Sequence, residues 1–261
     1  RALLAEHGVR PKKRLGQNFL IDRNVLNRIL SAADLTPESK VLEIGPGLGV
    51  VTVEAARRAR KVVCVEIDPS VGQILREVLS RCDCDNVVVV VQDFLKFDLA
   101  GILESNGQWV VIANLPYYIT TPILTRLIDS KRYFSAMLLM VQREVAQRLR
   151  AEPGSDDYGA ISVFVQYHCK IESIMRVSRN VFYPVPEVDS ELIKLTVRDA
   201  PPIAVSDEPL FFSIVRAAFG KRRKTLLNAL SSSPELKWDR KKVHAVLAAA
   251  GIDPGRRGET L

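Results

Sequence analysis

The chain has 261 residues, with 37 Lys and Arg against 30 Asp and Glu, a formal charge of +7 and an isoelectric point near 9.3. With 47% apolar and 26% charged residues, 14 Gly and 14 Pro, it is neither collagenous nor of low complexity, and no apolar run approaches the roughly 18 residues of a membrane helix. A folded, soluble protein without a membrane partner is expected, large enough for a large domain plus a small one and biased towards polyanions.

Residues 1–30 hold seven basic and two acidic side chains (+5), with Lys12, Lys13 and Arg14 in one cluster. From residue 40 short β-rich runs alternate with helical stretches: 41–44 reads as strand, 50–60 as helix, 62–67 as strand, 71–81 as helix and 87–91 as strand. Residues 109–113 and 136–141 continue the strands, with a helix over 121–130 between them. Continuous apolar strands alternating with amphipathic helices imply a mostly parallel sheet covered on both faces, a Rossmann-like doubly wound α/β domain. A helix over 159–168 and strand-like runs at 170–177 and 191–197 follow, the two runs joined by a Pro-rich loop and suited to a closing antiparallel hairpin at the sheet edge.

Ala200-Pro201-Pro202 breaks the pattern, and only helical signals follow, at 210–219, 224–230 and 240–250. We therefore divide the chain into a catalytic domain, 1–199, and a small all-α domain, 200–261. Residues 201–261 carry eleven basic and six acidic side chains (+5), chiefly Lys221, Arg222, Arg223 and Lys224, then Arg240, Lys241 and Lys242. The intervening residues 31–200 are mildly acidic, so the pattern is a catalytic body between flanks that grip a polyanion. No final helix precedes Leu261, which suggests that the chain continues.

The sharpest local feature is Val41-Leu-Glu-Ile-Gly-Pro-Gly-Leu-Gly49, a strand entering a glycine turn that opens a helix. Missing Cβ atoms at Gly45, Gly47 and Gly49 let the backbone approach a nucleoside-containing ligand, and Glu66, at the end of the next strand, can accept from both ribose hydroxyls. The spacing G-x-G-x-G departs from the dinucleotide fingerprint G-x-G-x-x-G, which favours S-adenosylmethionine over NAD. Asp93, after the strand at 87–91, is placed either to accept from an adenine amino group or to cap a turn.

Asn114-Leu-Pro-Tyr117 follows the strand at 109–113. An exocyclic amine is a poor nucleophile because its lone pair is delocalised into the ring. The Asn114 side-chain oxygen and the Pro116 carbonyl can both accept from the NH₂ and direct its lone pair at a methyl carbon, while Tyr117 offers a face to the base. Nothing resembles a Ser/His/Asp or Cys/His set. Cys64, Cys82, Cys84 and Cys169 form no C-x-x-C pair and His7, His168 and His244 are scattered, so no metal is expected and the thiols read as reduced.

Six segments in order carry a resemblance over the chain from about residue 10: Leu15-Gly-Gln-Asn-Phe-Leu20, Glu43-Ile-Gly-Pro-Gly-Leu-Gly49, Glu66-Ile-Asp68, Asn114-Leu-Pro-Tyr117, Phe182-Tyr-Pro-Val-Pro-Glu-Val-Asp-Ser190 and Phe219-Gly-Lys-Arg-Arg-Lys-Thr-Leu226. The chain resembles the ribosomal RNA adenine dimethyltransferases of the KsgA type. The resemblance implies a class I S-adenosylmethionine-dependent methyltransferase fold with a small helical C-terminal domain. It implies dimethylation of two adjacent adenosines near the 3′ end of small-subunit ribosomal RNA, with S-adenosylhomocysteine as product and the immature small ribosomal subunit as partner. By position, Asn18, Leu20, Gly45, Gly47, Glu66, Asp93 and Asn114 would hold the cofactor or lie beside it. Asn114, Pro116 and Tyr117 would hold the amine, Phe182 would pack on the other face of the base, and Lys12, Lys13, Arg14, Lys221, Arg222, Arg223 and Lys224 would meet RNA. A cytoplasmic monomer is expected, or an organellar protein if a leader preceded Arg1. The nearest alternative is a large-subunit adenine methyltransferase of the macrolide-resistance type, then an RNA-binding assembly factor or mitochondrial transcription factor derived from the same family.

Overall fold

The computed structural model describes residues 2–103, 109–221 and 223–260. Nine strands occur among them: β1 (Phe19–Leu20), β2 (Lys40–Ile44), β3 (Lys61–Glu66), β4 (Val87–Val91), β5 (Trp109–Asn114), β6 (Phe134–Gln142), β7 (Cys169–Val177), β8 (Phe182–Tyr183) and β9 (Ser190–Val197). Seven form one sheet in the order β4-β3-β2-β5-β6-β9-β7. The pairs β4/β3, β3/β2, β2/β5 and β5/β6 are parallel, and β9 runs antiparallel to β6. This is the expected doubly wound sheet with its closing strands. The short strands β1 and β8 make a separate antiparallel pair, Phe19 opposite Tyr183 and Leu20 opposite Phe182.

Continuous apolar runs make the central strands, because both faces of a sandwiched parallel sheet are dry. Val62, Val63, Cys64 and Val65 of β3 are all buried, as are Val110 to Ala113 of β5. Each valine and isoleucine among them contributes roughly 1.5–3 kcal/mol by leaving water. One core cluster joins Val25 and Ile29 to Ala55, Cys64, Leu75 and Ile112. Its first two members lie on the helix Arg23–Ala33, capped by Asp22, whose side chain accepts from the Val25 N–H. That helix is not among those read from the sequence; the helices predicted along the sheet form as Val50–Ala56, Pro69–Arg81 and Thr120–Asp129.

The chain divides into two compact units, residues 1–146 with 170–197, and residues 147–169 with 198–261. The break near 197 falls beside the boundary drawn from sequence. Residues 147–169, assigned above to the catalytic domain, belong to the second unit, and the reason is aromatic. On the helix Ala160–His168, Phe164 and Tyr167 face Phe212 of the helix Glu208–Phe219, with ring centroids 5.2 and 5.3 Å apart. Deeper in that unit, Ala218, Leu226, Leu230, Val243 and Leu247 form a small core of their own.

Candidate active site

Strand order in the sheet reverses between β2 and β5, and there the chain leaves the two strands towards opposite faces and opens a crevice at their carboxyl ends. Ile44 pairs with Ala113, so the glycine turn after β2 and Asn114 at the end of β5 are neighbours by register. Gly45, Gly47 and Gly49 have φ of 67°, 57° and 83°. At Gly47 a Cβ would lie 2.9 Å from Cδ1 of Phe19, so only glycine admits that ring against the turn. A cavity of about 730 Å³ opens here, lined among others by Asn18, Leu20, Gly45, Gly47, Asn114 and Phe182. That is the size of a small-molecule site.

Glu66 and Asp93 do not line this cavity. Glu66 is buried at the end of β3, where its two carboxylate oxygens accept from the Gly47 N–H at 3.3 Å and the Asp68 N–H at 2.9 Å. Burial raises its pKa, against the pull of those bonds. Each oxygen keeps a further lone pair, so the carboxylate can still accept from hydroxyls. Asp93 caps the turn Phe94–Lys96, its Oδ1 accepting from the Leu95 N–H at 2.9 Å, a role that occupies one of its two carboxylate oxygens.

Asn114 donates from Nδ2 to the Asn18 carbonyl at 2.9 Å. Because that partner can only accept, the amide orientation is fixed and Oδ1 is left as an acceptor. The Pro116 carbonyl, proposed above as the second acceptor, is instead taken up by its own turn. It receives the Ile119 N–H at 3.2 Å and the Thr120 hydroxyl at 3.1 Å. Its neighbour Leu115, the residue after β5, is buried and its N–H donates to the Met140 carbonyl at 3.1 Å, while its own carbonyl takes no part in the Pro116 turn. Tyr117 is half-buried and its hydroxyl is held by Ser190 at 2.9 Å, with its pKa raised by burial so that it stays neutral. Phe182 is 2% exposed, part of the core cluster as well as the cavity wall.

Three residues escaped the sequence reading. Asp68 caps the helix Pro69–Arg81 and accepts from Lys12 Nζ at 2.7 Å and Gln17 Nε2 at 2.8 Å. Burial alone would raise its pKa, but these donors and the Lys12 charge bring it below the usual carboxylate range. The clasp corrects the placing of Lys12 on RNA, since its charge is spent on Asp68. Both Gln17 and Asp68 stand inside recognised segments, and Asp before Pro69 is a helix-start signature that could have been read.

The third is Glu43, a buried acid on the cavity wall whose Oε2 accepts from the Cys64 thiol at 3.6 Å. Burial pushes its pKa up to about 7. The unfolded chain releases this proton near 4.5 while the folded chain keeps it to about 7, so stability falls as pH rises through that window. Glu43→Gln should remove the fall, which amounts to on the order of 3 kcal/mol between the two ends. Denaturant unfolding of both proteins from pH 5 to 8 checks it, and a constant difference between them would refute it.

Of the remaining basic candidates, Lys13, Arg14, Arg223 and Lys224 are exposed, and Lys221, also exposed, donates to the Ser232 hydroxyl at 2.9 Å. Arg222 lies outside the described residues. Among the described residues no group of three or more His, Cys, Asp or Glu could hold a metal, and no helix is long and apolar enough to cross a membrane.

A parallel sheet with a glycine turn and an amide at its switch point defines a class I S-adenosylmethionine-dependent methyltransferase fold, and solved structures agree. A dimethyladenosine transferase from Plasmodium falciparum matches with a TM-score of 0.77 and 27% identity over 93% of this chain and 92% of that one. The 23S rRNA methyltransferase ErmE matches with a TM-score of 0.67 and 31% identity over 93% and 96%. The family model described as ribosomal RNA adenine dimethylase matches residues 8–260, and the chain belongs to that family. Its relatives include the ribosomal RNA small subunit methyltransferase A of Moorella thermoacetica, 50% identical over 100% of this chain and 91% of that protein. The protein of the same name from Geobacillus thermodenitrificans is 48% identical over 99% and 89%.

Proposed function

We propose that the protein is the small-subunit enzyme of its family, an S-adenosylmethionine-dependent methyltransferase that dimethylates two adjacent adenosines near the 3′ end of small-subunit ribosomal RNA. The observation that carries this reading is Asn114, which lines the glycine-walled cavity and is tied by its nitrogen to Asn18, so that its oxygen is left as an acceptor. The cavity fits the cofactor: its volume of about 730 Å³ suits a small molecule, the glycine turn Gly45–Gly49 forms part of its wall, and Glu66 stands behind that turn with lone pairs to spare. When bound, S-adenosylmethionine supplies an electrophilic methyl group.

The chain's own residues do the rest. Asn18, Leu20, Gly45, Gly47 and Asn114 border the cofactor, with Glu66 on the ribose. Asn114 Oδ1 and the Leu115 carbonyl accept from the target amine and fix its lone pair, Tyr117 and Phe182 flank the flipped adenine, and the proton leaves to water after transfer. Such a site works by orientation and electrostatics and needs no strong base. We assign catalysis to the first compact unit and RNA holding to the basic helical one, in a cytoplasmic monomer.

The test is incubation with immature small subunits and labelled S-adenosylmethionine, followed by mapping of the label. Label on large-subunit RNA instead would favour the activity named for ErmE; the relatives at 46–50% identity, all named for the small subunit, favour the first outcome. Reversing the charges at Lys221, Arg222, Arg223 and Lys224 should flatten the salt dependence of RNA binding by about 3 log units per log unit, at roughly 0.7 per single-stranded phosphate. An unaltered slope in filter-binding titrations would return this cluster to an ordinary solvated face.

A further inference from the structure

Tyr118 is the one exposed aromatic side chain among the described residues, at 58%. It immediately follows the Asn114–Tyr117 segment, in the turn Tyr117–Ile119. The backbone around it is held on both sides, by the Tyr117 hydroxyl on Ser190 and by the Ile119 N–H on the Pro116 carbonyl. The ring itself has no aromatic partner among the described residues. An apolar face of this size, kept in water next to a site for a nucleobase, calls for a ligand.

The segment that packs near the ring is a basic one. Gly16 lies against it: a Cβ at Gly16 would come within 3.1 Å of Pro116 Cβ and 3.4 Å of Tyr118 Cε1, and its φ of 62° suits glycine. The turn Lys13–Leu15 ends at Gly16, so Lys13 and Arg14 stand within one short turn of the residue that packs against Tyr118. Both are exposed, and neither forms an ion pair among the described residues, whereas Lys12 is held by Asp68. An exposed ring with two cations a few residues along the adjoining segment is the composition of a single-stranded nucleotide subsite, base on the aromatic face and phosphate on the basic groups.

Resting on the reading of the site given above, we propose that Tyr118 stacks on the base next to the adenine being methylated, and that Lys13 and Arg14 take the phosphate beside that base. A base drawn out of its helix leaves its neighbour without a stacking partner on one face. Tyr118 supplies a replacement surface, lowering the cost of extrusion and setting which of two adjacent adenosines enters the pocket.

The experiment compares wild type, Tyr118→Ala and Tyr118→Phe on immature small subunits. Tyr118→Ala should raise KM for the subunit by about tenfold, with kcat, cofactor affinity and melting temperature unchanged, and Tyr118→Phe should restore KM. In parallel, a single-stranded RNA carrying 2-aminopurine beside an adenosine is titrated with cofactor-free protein. Fluorescence should be quenched by wild type and Tyr118→Phe and not by Tyr118→Ala. An unchanged KM in Tyr118→Ala, a loss confined to kcat, or equal quenching by all three proteins overturns the subsite. Failure of wild type to methylate either subunit's RNA would instead overturn the reading of the active site, and the quenching titration would still decide the role of Tyr118.

Discussion

Asn114→Ala is expected to lower the rate of methyl transfer by two to three orders of magnitude, about the loss seen when one pre-aligned group that meets a reacting centre is removed. The substitution takes away two things at once. It removes the oxygen that accepts from the amine, and it removes the Nδ2 donor that holds the Asn18 carbonyl at 2.9 Å. Asn114→Asp separates them, because a carboxylate keeps an acceptor for the amine but sets an anion against the Asn18 carbonyl. Alanine should therefore fail chiefly in single-turnover transfer, with cofactor affinity within a few-fold, whereas aspartate should also weaken cofactor binding through the displaced Asn18. Single-turnover assays with calorimetry on both variants check this. Transfer by the alanine variant within threefold of wild type would remove Asn114 from the chemistry.

Glu66→Ala should do the opposite, raising the dissociation constant for S-adenosylmethionine by about two orders of magnitude with little effect on the rate once the cofactor is saturating. The carboxylate offers lone pairs to two ribose hydroxyls, and a charged hydrogen bond contributes about 1.5–3 kcal/mol. Its second duty adds to the loss, since it also receives the Gly47 N–H and so fixes the turn that walls the cavity. Glu66→Gln keeps one acceptor and should lie between. Calorimetric titration of the three proteins decides, and an affinity equal to wild type in the alanine variant would dissociate Glu66 from the cofactor.

The parts of the molecule that were legible in the sequence are those whose local pattern and tertiary setting agree. Strands β2, β3, β5 and β6 are continuous apolar runs because both their faces are buried, and Gly45, Gly47 and Asn114 announce themselves by sitting where such runs end. What escaped depends on partners far along the chain. The two-residue strands β1 and β8 have no periodicity to read, since each exists only because the other is there. The helix Arg23–Ala33 is polar enough to hide, although its apolar residues at 25, 26, 29, 30 and 33 and the Asp22 cap were available. Lys12 looked like one more cation in a basic run, and only its approach to Asp68, 56 residues away, shows otherwise. Pro116 was misjudged for the reverse reason, a short-range one: the turn it begins consumes its carbonyl.

The stretch from Lys12 to Leu20 touches the site at four separate points, through Asp68, the Gly47 wall, the Asn114 amide and the Phe182 strand. It is thus a structural keystone as well as a basic arm, which limits how the two roles can be separated. Deleting the first twenty residues would dismantle the cofactor cavity together with the arm's own RNA contacts, and an inactive truncation would not tell the two losses apart. Only point changes at Lys13 and Arg14, whose side chains hold no other residue in place among the described residues, can measure what this arm does for the nucleic acid.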